Sequence, residues 1–197
     1  MVLLGTTAAQ ADVTAEQVWD AWNKQYTAYG YQVSTGDVAR KGDTLAVTGL
    51  KLSNSVEGSS MELDIPEMNL REMGDGTVEV TFSDQITAKA QSRVEGEDAP
   101  LAMDLTIRKS DAVAIVSGTP EALSYAFTVP EAEVELDQTK VGADNNAPVK
   151  MLVSVSGIDG KYDVAQTAEG QDLKSSFRAA GMKMTASGAD PESNGTF

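Results

Sequence analysis

The chain has 197 residues, 41% of them hydrophobic, and its 30 Asp and Glu against 15 Lys and Arg give a formal charge of −15 at pH 7. It contains no Cys and no His, which excludes a thiolate nucleophile, a Ser-His-Asp relay, a disulfide, a thiolate or imidazole zinc site and covalent haem attachment. A negative charge spread along the chain makes nucleic acid and anionic lipid surfaces poor partners, and no segment approaches the roughly 20 apolar residues of a membrane-spanning helix.

The run Val2-Leu3-Leu4-Gly5-Thr6-Thr7-Ala8 leads into Ala9-Gln10-Ala11 and then Asp12. Small residues at the first and third positions after a short apolar run are what signal peptidase cuts. Residues 1–11 therefore read as the remnant of a truncated signal peptide, cut between Ala11 and Asp12. Residues 12–197 read as one β-rich domain, incomplete at its C-terminus. The absence of Cys leaves no attachment point for a lipoprotein anchor, so the mature chain is expected to be exported and soluble.

One helix opens this domain. Thr14 followed by Gln17 is a capping box, Val13 and Val18 form a hydrophobic staple, and Gly30 supplies the left-handed stop after Tyr29. At about 100° per residue, Val18, Trp19, Trp22, Tyr26 and Tyr29 share one stripe. Such a stripe ordinarily buries itself in its own domain; the alternative is an aromatic face that docks a partner or an acyl chain. Trp19, Trp22, Tyr26 and Tyr29 are accordingly the candidate contact residues.

Beyond Gly30 the pattern alternates with period two. Ile86, Ala88, Ala90 and Val94 share one parity, Leu101, Met103, Leu105 and Ile107 repeat it, and the polar loop Glu95 to Pro100 makes the two a hairpin. Val78, Val80 and Phe82 alternate just after Gly74-Asp75-Gly76, and further turns are expected at Lys41-Gly42-Asp43 and Asp159-Gly160. A second short helix is expected near 172–180, where Leu173 and Phe177 lie one turn apart and Gly181 is the stop.

An internal repeat speaks to architecture. Ser60 to Glu67 aligns without gaps on Ser124 to Glu131, bringing Pro66 onto Pro130, and in both copies the apolar parity changes after the proline. One extra residue at a bulge returns both halves of each strand to the same face, and proline tolerates such a place because it has no N–H to give the ladder. Two long bent strands in equivalent positions follow. The runs Leu45 to Gly49, Ala114 to Gly118 and Val153 to Gly157 echo a strand ending in glycine. Glu67 and Glu131 could form a carboxylate pair, but solvated residues at the bulges explain them better.

Sites are scarce. There is no phosphate loop, no Gly-x-Ser-x-Gly elbow and no dinucleotide fingerprint. Asp159 to Asp163 and Asp144-Asn145-Asn146 lack the spacing of an EF-hand loop, and turn chemistry accounts for them. No catalytic, metal-binding or cofactor-binding residue is assigned, and no cofactor is expected.

As a set, Ala11 to Trp22, Tyr26 to Tyr31, Ile65-Pro66-Glu67 with Leu70 to Val80, and Ser117 to Glu121 resemble the exported proteobacterial proteins grouped as domain of unknown function 2125. The resemblance implies a Gram-negative periplasmic protein of repetitive β-structure and carries over no functional residue. Members of that family are longer; this chain starts inside its signal peptide and stops at Asn194 to Phe197, which reads like a turn into another strand.

The expected fold is mainly β: a curved antiparallel sheet of about ten strands, open or a half-barrel, capped by the aromatic helix. The expected function is a non-catalytic periplasmic envelope protein with an interaction or assembly role. The alternative is a carrier of a lipid or other apolar ligand, and a hydrolase built on two carboxylates is the third reading. Partners are thus an envelope protein or a lipid, and the oligomeric state is open.

Overall fold

The computed structural model describes residues 12–93, 100–140, 149–167 and 170–188. The signal-peptide remnant, Val94 with most of the acidic loop, Asp144-Asn145-Asn146 and the closing Asn194 to Phe197 lie outside the described residues. Helix α1 (Ala15–Ala28) is followed by strands β1 (Gln32–Ser34), β2 (Asp37–Lys41), β3 (Thr44–Val56), β4 (Ser59–Glu72), β5 (Val78–Phe82) and β6 (Gln85–Ser92). Then come β7 (Leu101–Ser110), β8 (Val113–Thr119), β9 (Ala122–Lys140), β10 (Val149–Thr167), β11 (Gly170–Arg178) and β12 (Gly181–Gly188).

The helix forms for the local reasons its sequence announces. Gln17 N–H donates to Thr14 Oγ1 at 3.2 Å while Thr14 N–H donates to Gln17 Oε1 at 3.0 Å. Val13 and Val18 are buried, and Gly30 takes φ +82°, which relieves the Cβ clash that stops other residues there.

All strand pairs are antiparallel, and the twelve segments assemble into fewer, longer strands. β1 and β2 run end to end along β3, as do β7 and β8 along β9, and β11 and β12 along β10. β5 and β6 follow β4 in the same manner with a one-residue shift between them. The result is an up-and-down meander of eight long strands. Its hydrogen bonds trace a ring through β4, β5, β8, β9, β7 and β6, but that ring comes from interrupted strands, not from closure as a regular barrel. Among the described residues β1 and β2 pair only with β3, and β11 and β12 only with β10, so the sheet is curved and open.

The interruptions fall in one transverse row. Gly49, at φ +59°, stands opposite Pro66. Pro130 stands between Gly157, at φ +59°, and Asp111, at φ +50°. The same row passes through the breaks at 35–36, 83–84 and 179–180. Irregular hydrogen bonds close it: Gly36 N–H to Thr48 O at 2.8 Å, Ser83 N–H to Glu67 O at 2.9 Å, Lys109 N–H to Asp84 O at 2.8 Å and Ala180 N–H to Ser156 O at 2.9 Å. This crease lets apolar parity change while the core side chains stay on one face. Leu45 and Val47 give way to Leu50 and Leu52, and Ile65 gives way to Met68 and Leu70, all of them buried.

Four local expectations are corrected. Residues 172–180 form no helix: Gly170–Arg178 is β11, paired with β10 through nine residues. Leu173 and Phe177 are four apart, a spacing that serves a strand face as well as a helix turn, and nonlocal pairing decided. Asp159-Gly160 is no turn but lies within β10. The strands do not end at Gly49 or Gly157, where the crease uses glycine instead. The paired prolines lie in two long strands as the repeat requires, but without the extra residue expected there: the register runs unshifted from Thr48↔Glu67 to Leu50↔Ile65 and from Ser156↔Glu131 to Ile158↔Val129, because the facing strands change parity in the same row.

Candidate functional site

The face carrying α1 is here the inner face. Val18 and Trp19 sink into a core made with β3, β4, β5, β8 and β9. The helix lies against β1, β3 and β4. At its close Asn54 Nδ2 donates to Gly30 O at 3.0 Å, and Tyr29 Oη donates to Gln171 Oε1 at 3.3 Å.

An aromatic groove of about 450 Å³ lies beside the second half of the helix, lined by Trp22, Tyr26, Phe82, Tyr125, Phe127, Tyr162 and Phe177 among others. Trp22 stacks on Phe82 with ring centroids 6.1 Å apart and planes within 6°, and on Tyr125 at 6.1 Å. Its indole N–H donates to Tyr125 Oη at 2.9 Å, so this polar pair satisfies itself and leaves an apolar wall. Burial pushes the Tyr125 phenol up to about 12 and raises Tyr26 as well; both stay neutral at ordinary pH. The groove floor is the row Phe127, Gly160, Phe177 across β9, β10 and β11. A Cβ on Gly160 would collide with the Phe127 ring, which explains a glycine inside a strand. Phe177, 78% exposed, forms the outer rim.

Past the crease the inner face has no cover. Strand register places Ile86, Leu105, Ile107, Val134, Val153 and Met184 on it. No described side chain of β6, β7 or β12, of β9 after Pro130, or of β10 before Gly157 is buried. Met182 and Met184 are 72% and 59% exposed. This aliphatic strip continues from the aromatic groove through Val129, Ile158, Ala132 and Val155.

Charge is sorted between the faces. The ion pairs of Lys51, Arg71, Arg108, Lys150, Lys161 and Arg178 involve residues that register places on the opposite face. Within the strands only Arg40, Glu72 and Lys109 point inward among the described side chains. Arg40 binds Glu16 and Glu72, each at 2.7 Å, and this holds the Glu72 carboxyl below the usual carboxylate range. The Glu72 carboxylate is thereby held ionised on an arginine, the reverse of what a general acid needs. Glu67 and Glu131 are exposed. Lys109 has no carboxylate within 4.0 Å among the described residues. Its ammonium donates to Phe82 O at 2.9 Å and stands 5.8 Å from the centroid of that ring. Burial pushes it below the usual lysine value, and Asp84 draws it part of the way back.

A larger depression of about 720 Å³ follows the crease, lined by Arg108, Glu131, Glu133, Ser156 and Lys183 among others. Asp84 and Lys109 also line it. Among the described residues no group of three or more Asp and Glu is placed to hold a metal ion, and no helix is long and apolar enough to cross a membrane.

The four candidate contacts separate. Trp19, 8% exposed, belongs to the core. Trp22 and Tyr26, half-buried, line the groove, while Tyr29, 54% exposed at the end of the helix, does not line it. Sequence reasoning missed Phe82, Tyr125, Phe127, Tyr162, Phe177 and Lys109 as parts of this site. Their period-two spacing marked the inner face, but which strands meet the helix depends on pairing across the whole sheet. Comparison with protein-family models, curated proteins and solved structures finds no match.

Proposed function

We propose that this chain is a non-catalytic periplasmic binding protein that carries an apolar, chain-shaped molecule along its inner face, and that it belongs with the exported proteins of domain of unknown function 2125. One observation carries the reading: a strip of half-exposed aliphatic side chains, continuous with an aromatic groove, on a chain whose opposite face is laced with ion pairs. Soluble proteins rarely expose a contiguous apolar patch beyond a few hundred Å² unless something binds there, and a groove of about 450 Å³ is in the range of small-molecule sites. The groove offers ring faces and few unpaired polar groups, so selection would rest on shape and apolarity. From Tyr125 to Leu136 the strip runs roughly 36 Å along β9 at about 3.3 Å per residue, long enough for an extended hydrocarbon chain.

The test is titration with diphenylhexatriene, a neutral rod-shaped dye, read by energy transfer from Trp22 and Trp19. Saturable binding is expected, weakened about tenfold or more by Phe177→Lys and by Met184→Lys, whose exposed positions leave folding intact. Absence of saturable binding, or binding indifferent to both substitutions, removes the reading.

A second reading has its own observation. Every described side chain of β11 and β12 is exposed, and among the described residues the strand they form is paired on one side only. A long open edge is a template for another strand, so an assembly role would use β-strand addition there. Crosslinking from cysteines introduced on β12 would capture a defined partner under that reading and nothing specific under the first.

A further inference from the structure

We infer that the molecule carried on the inner face is an anionic amphiphile, whose acidic head meets Lys109 while its tail lies on the apolar strip. This rests on the carrier reading and narrows it to a chemical class. The inner face carries three strand charges among its described side chains. Two of them, Arg40 and Glu72, neutralise each other beside the start of the helix. Lys109 has no ion-pair partner within 4.0 Å among the described residues, Asp84 acting on it only from farther off, and it stands at the crease, where the aromatic groove ends and the uncovered strip begins. Its β7 register pairs it with Ala132, and the neighbours of Ala132 on the same row are Val155 and Met182.

An ammonium has three donors. One goes to the Phe82 carbonyl, and the Phe82 ring faces the charge, which leaves two without a partner among the described residues. A half-buried cation in apolar surroundings is stabilised by an anion more than a solvated one would be, because low local dielectric strengthens the pairing. Phe82 also stacks on Trp22, so the ring that holds the ammonium is the end wall of the groove. Head and tail sites are therefore contiguous, as an amphiphile requires. A carboxylate and a phosphate monoester satisfy the same two donors.

The experiment is calorimetric titration of the folded protein with palmitate, with 1-palmitoyl lysophosphatidic acid, with the neutral isologue hexadecanol, and with acetate and inorganic phosphate as heads without tails. Wild type, Lys109→Gln and Lys109→Arg are compared. Palmitate or the lysophosphatidic acid should bind about tenfold or more tighter than hexadecanol, the effect of one charge-assisted contact in a partly desolvated site. Lys109→Gln should bring the anion down to the affinity of hexadecanol, and Lys109→Arg should keep the preference. Which of the two anionic lipids is preferred tells a fatty-acid head from a phospholipid-type head. Acetate or phosphate binding as tightly as the lipids would overturn the inference by making the site a simple anion site. A hexadecanol affinity equal to that of both anions, or a preference that survives Lys109→Gln, would overturn it while the carrier reading stands. Failure of hexadecanol and both anionic lipids to bind would remove the carrier reading and the inference together.

Discussion

Tyr125→Phe isolates the polar joint between helix and sheet. The phenol is 8% exposed and accepts the only hydrogen bond from the Trp22 indole seen among the described residues, at 2.9 Å. Removing the oxygen leaves that N–H without a partner against apolar walls, which costs about 1–2 kcal/mol. In a chain of this size that lowers the melting temperature by roughly 2–8 °C. The pH dependence carries a sign. Burial raises the folded phenol to about 12 from 10.0, so below the unfolded value both states hold the proton and the contribution is constant. As pH climbs from 10 toward 12 the unfolded chain ionises first and the stability of the native state is lost. With a shift of this size the loss at about pH 11 is about 1.4 kcal/mol. Phenylalanine has no such term, so the gap between wild type and variant, full at neutral pH, should close or invert near pH 11. Urea unfolding read by tryptophan fluorescence, with equal m-values for both proteins, measures it. Identical midpoints at neutral pH, or a gap that does not narrow on alkalinisation, would refute the account of this joint.

Further outcomes follow from the crease, the core and the groove. Gly157→Ala places a side chain at φ +59° and sets its Cβ 2.8 Å from that of Ala180, so it should destabilise by about 2–3 kcal/mol, whereas Gly42→Ala, at φ +63° with open space around it, should cost only about 1 kcal/mol. The difference in urea midpoint between the two measures the packing of the crease. Met68→Ala empties a fully buried position and should cost about 2–5 kcal/mol in the same assay. Gly160→Ala drives the Phe127 ring off the groove floor; it should weaken diphenylhexatriene binding several-fold, and an unchanged affinity would show that the groove floor takes no part.

The helix was legible because its signals are local: cap, staple and glycine stop lie within residues 13–30 and form in the structure as written. Strand parity was legible for the same reason, and the repeat pointed to two bent strands because proline forbids a regular ladder at Pro66 and Pro130. The crease as a row was not legible, since it exists only when eight strands are in register and Gly49 meets Pro66. Residues 172–180 show the limit of local spacing. Leu173 and Phe177 fit both periods, and β10 settled the choice by offering a partner for each residue from Gly170 to Arg178. Of the site, the stripe on the helix was half of what was needed. Trp19 went to the core, and the other wall came from aromatics on β5, β9, β10 and β11, whose meeting with Trp22 no sequence window contains. Lys109 looked like any strand lysine until register placed it on an apolar face.

Native mass spectrometry of the protein, exported with a complete signal peptide and recovered gently from the periplasm, tests the central claim most directly. The account predicts a mass starting at Asp12 with an additional species that dissociates as an acyl-chain lipid, and its loss in Phe177→Lys. A protein that emerges bare, and stays bare after incubation with palmitate and hexadecanol, would contradict it.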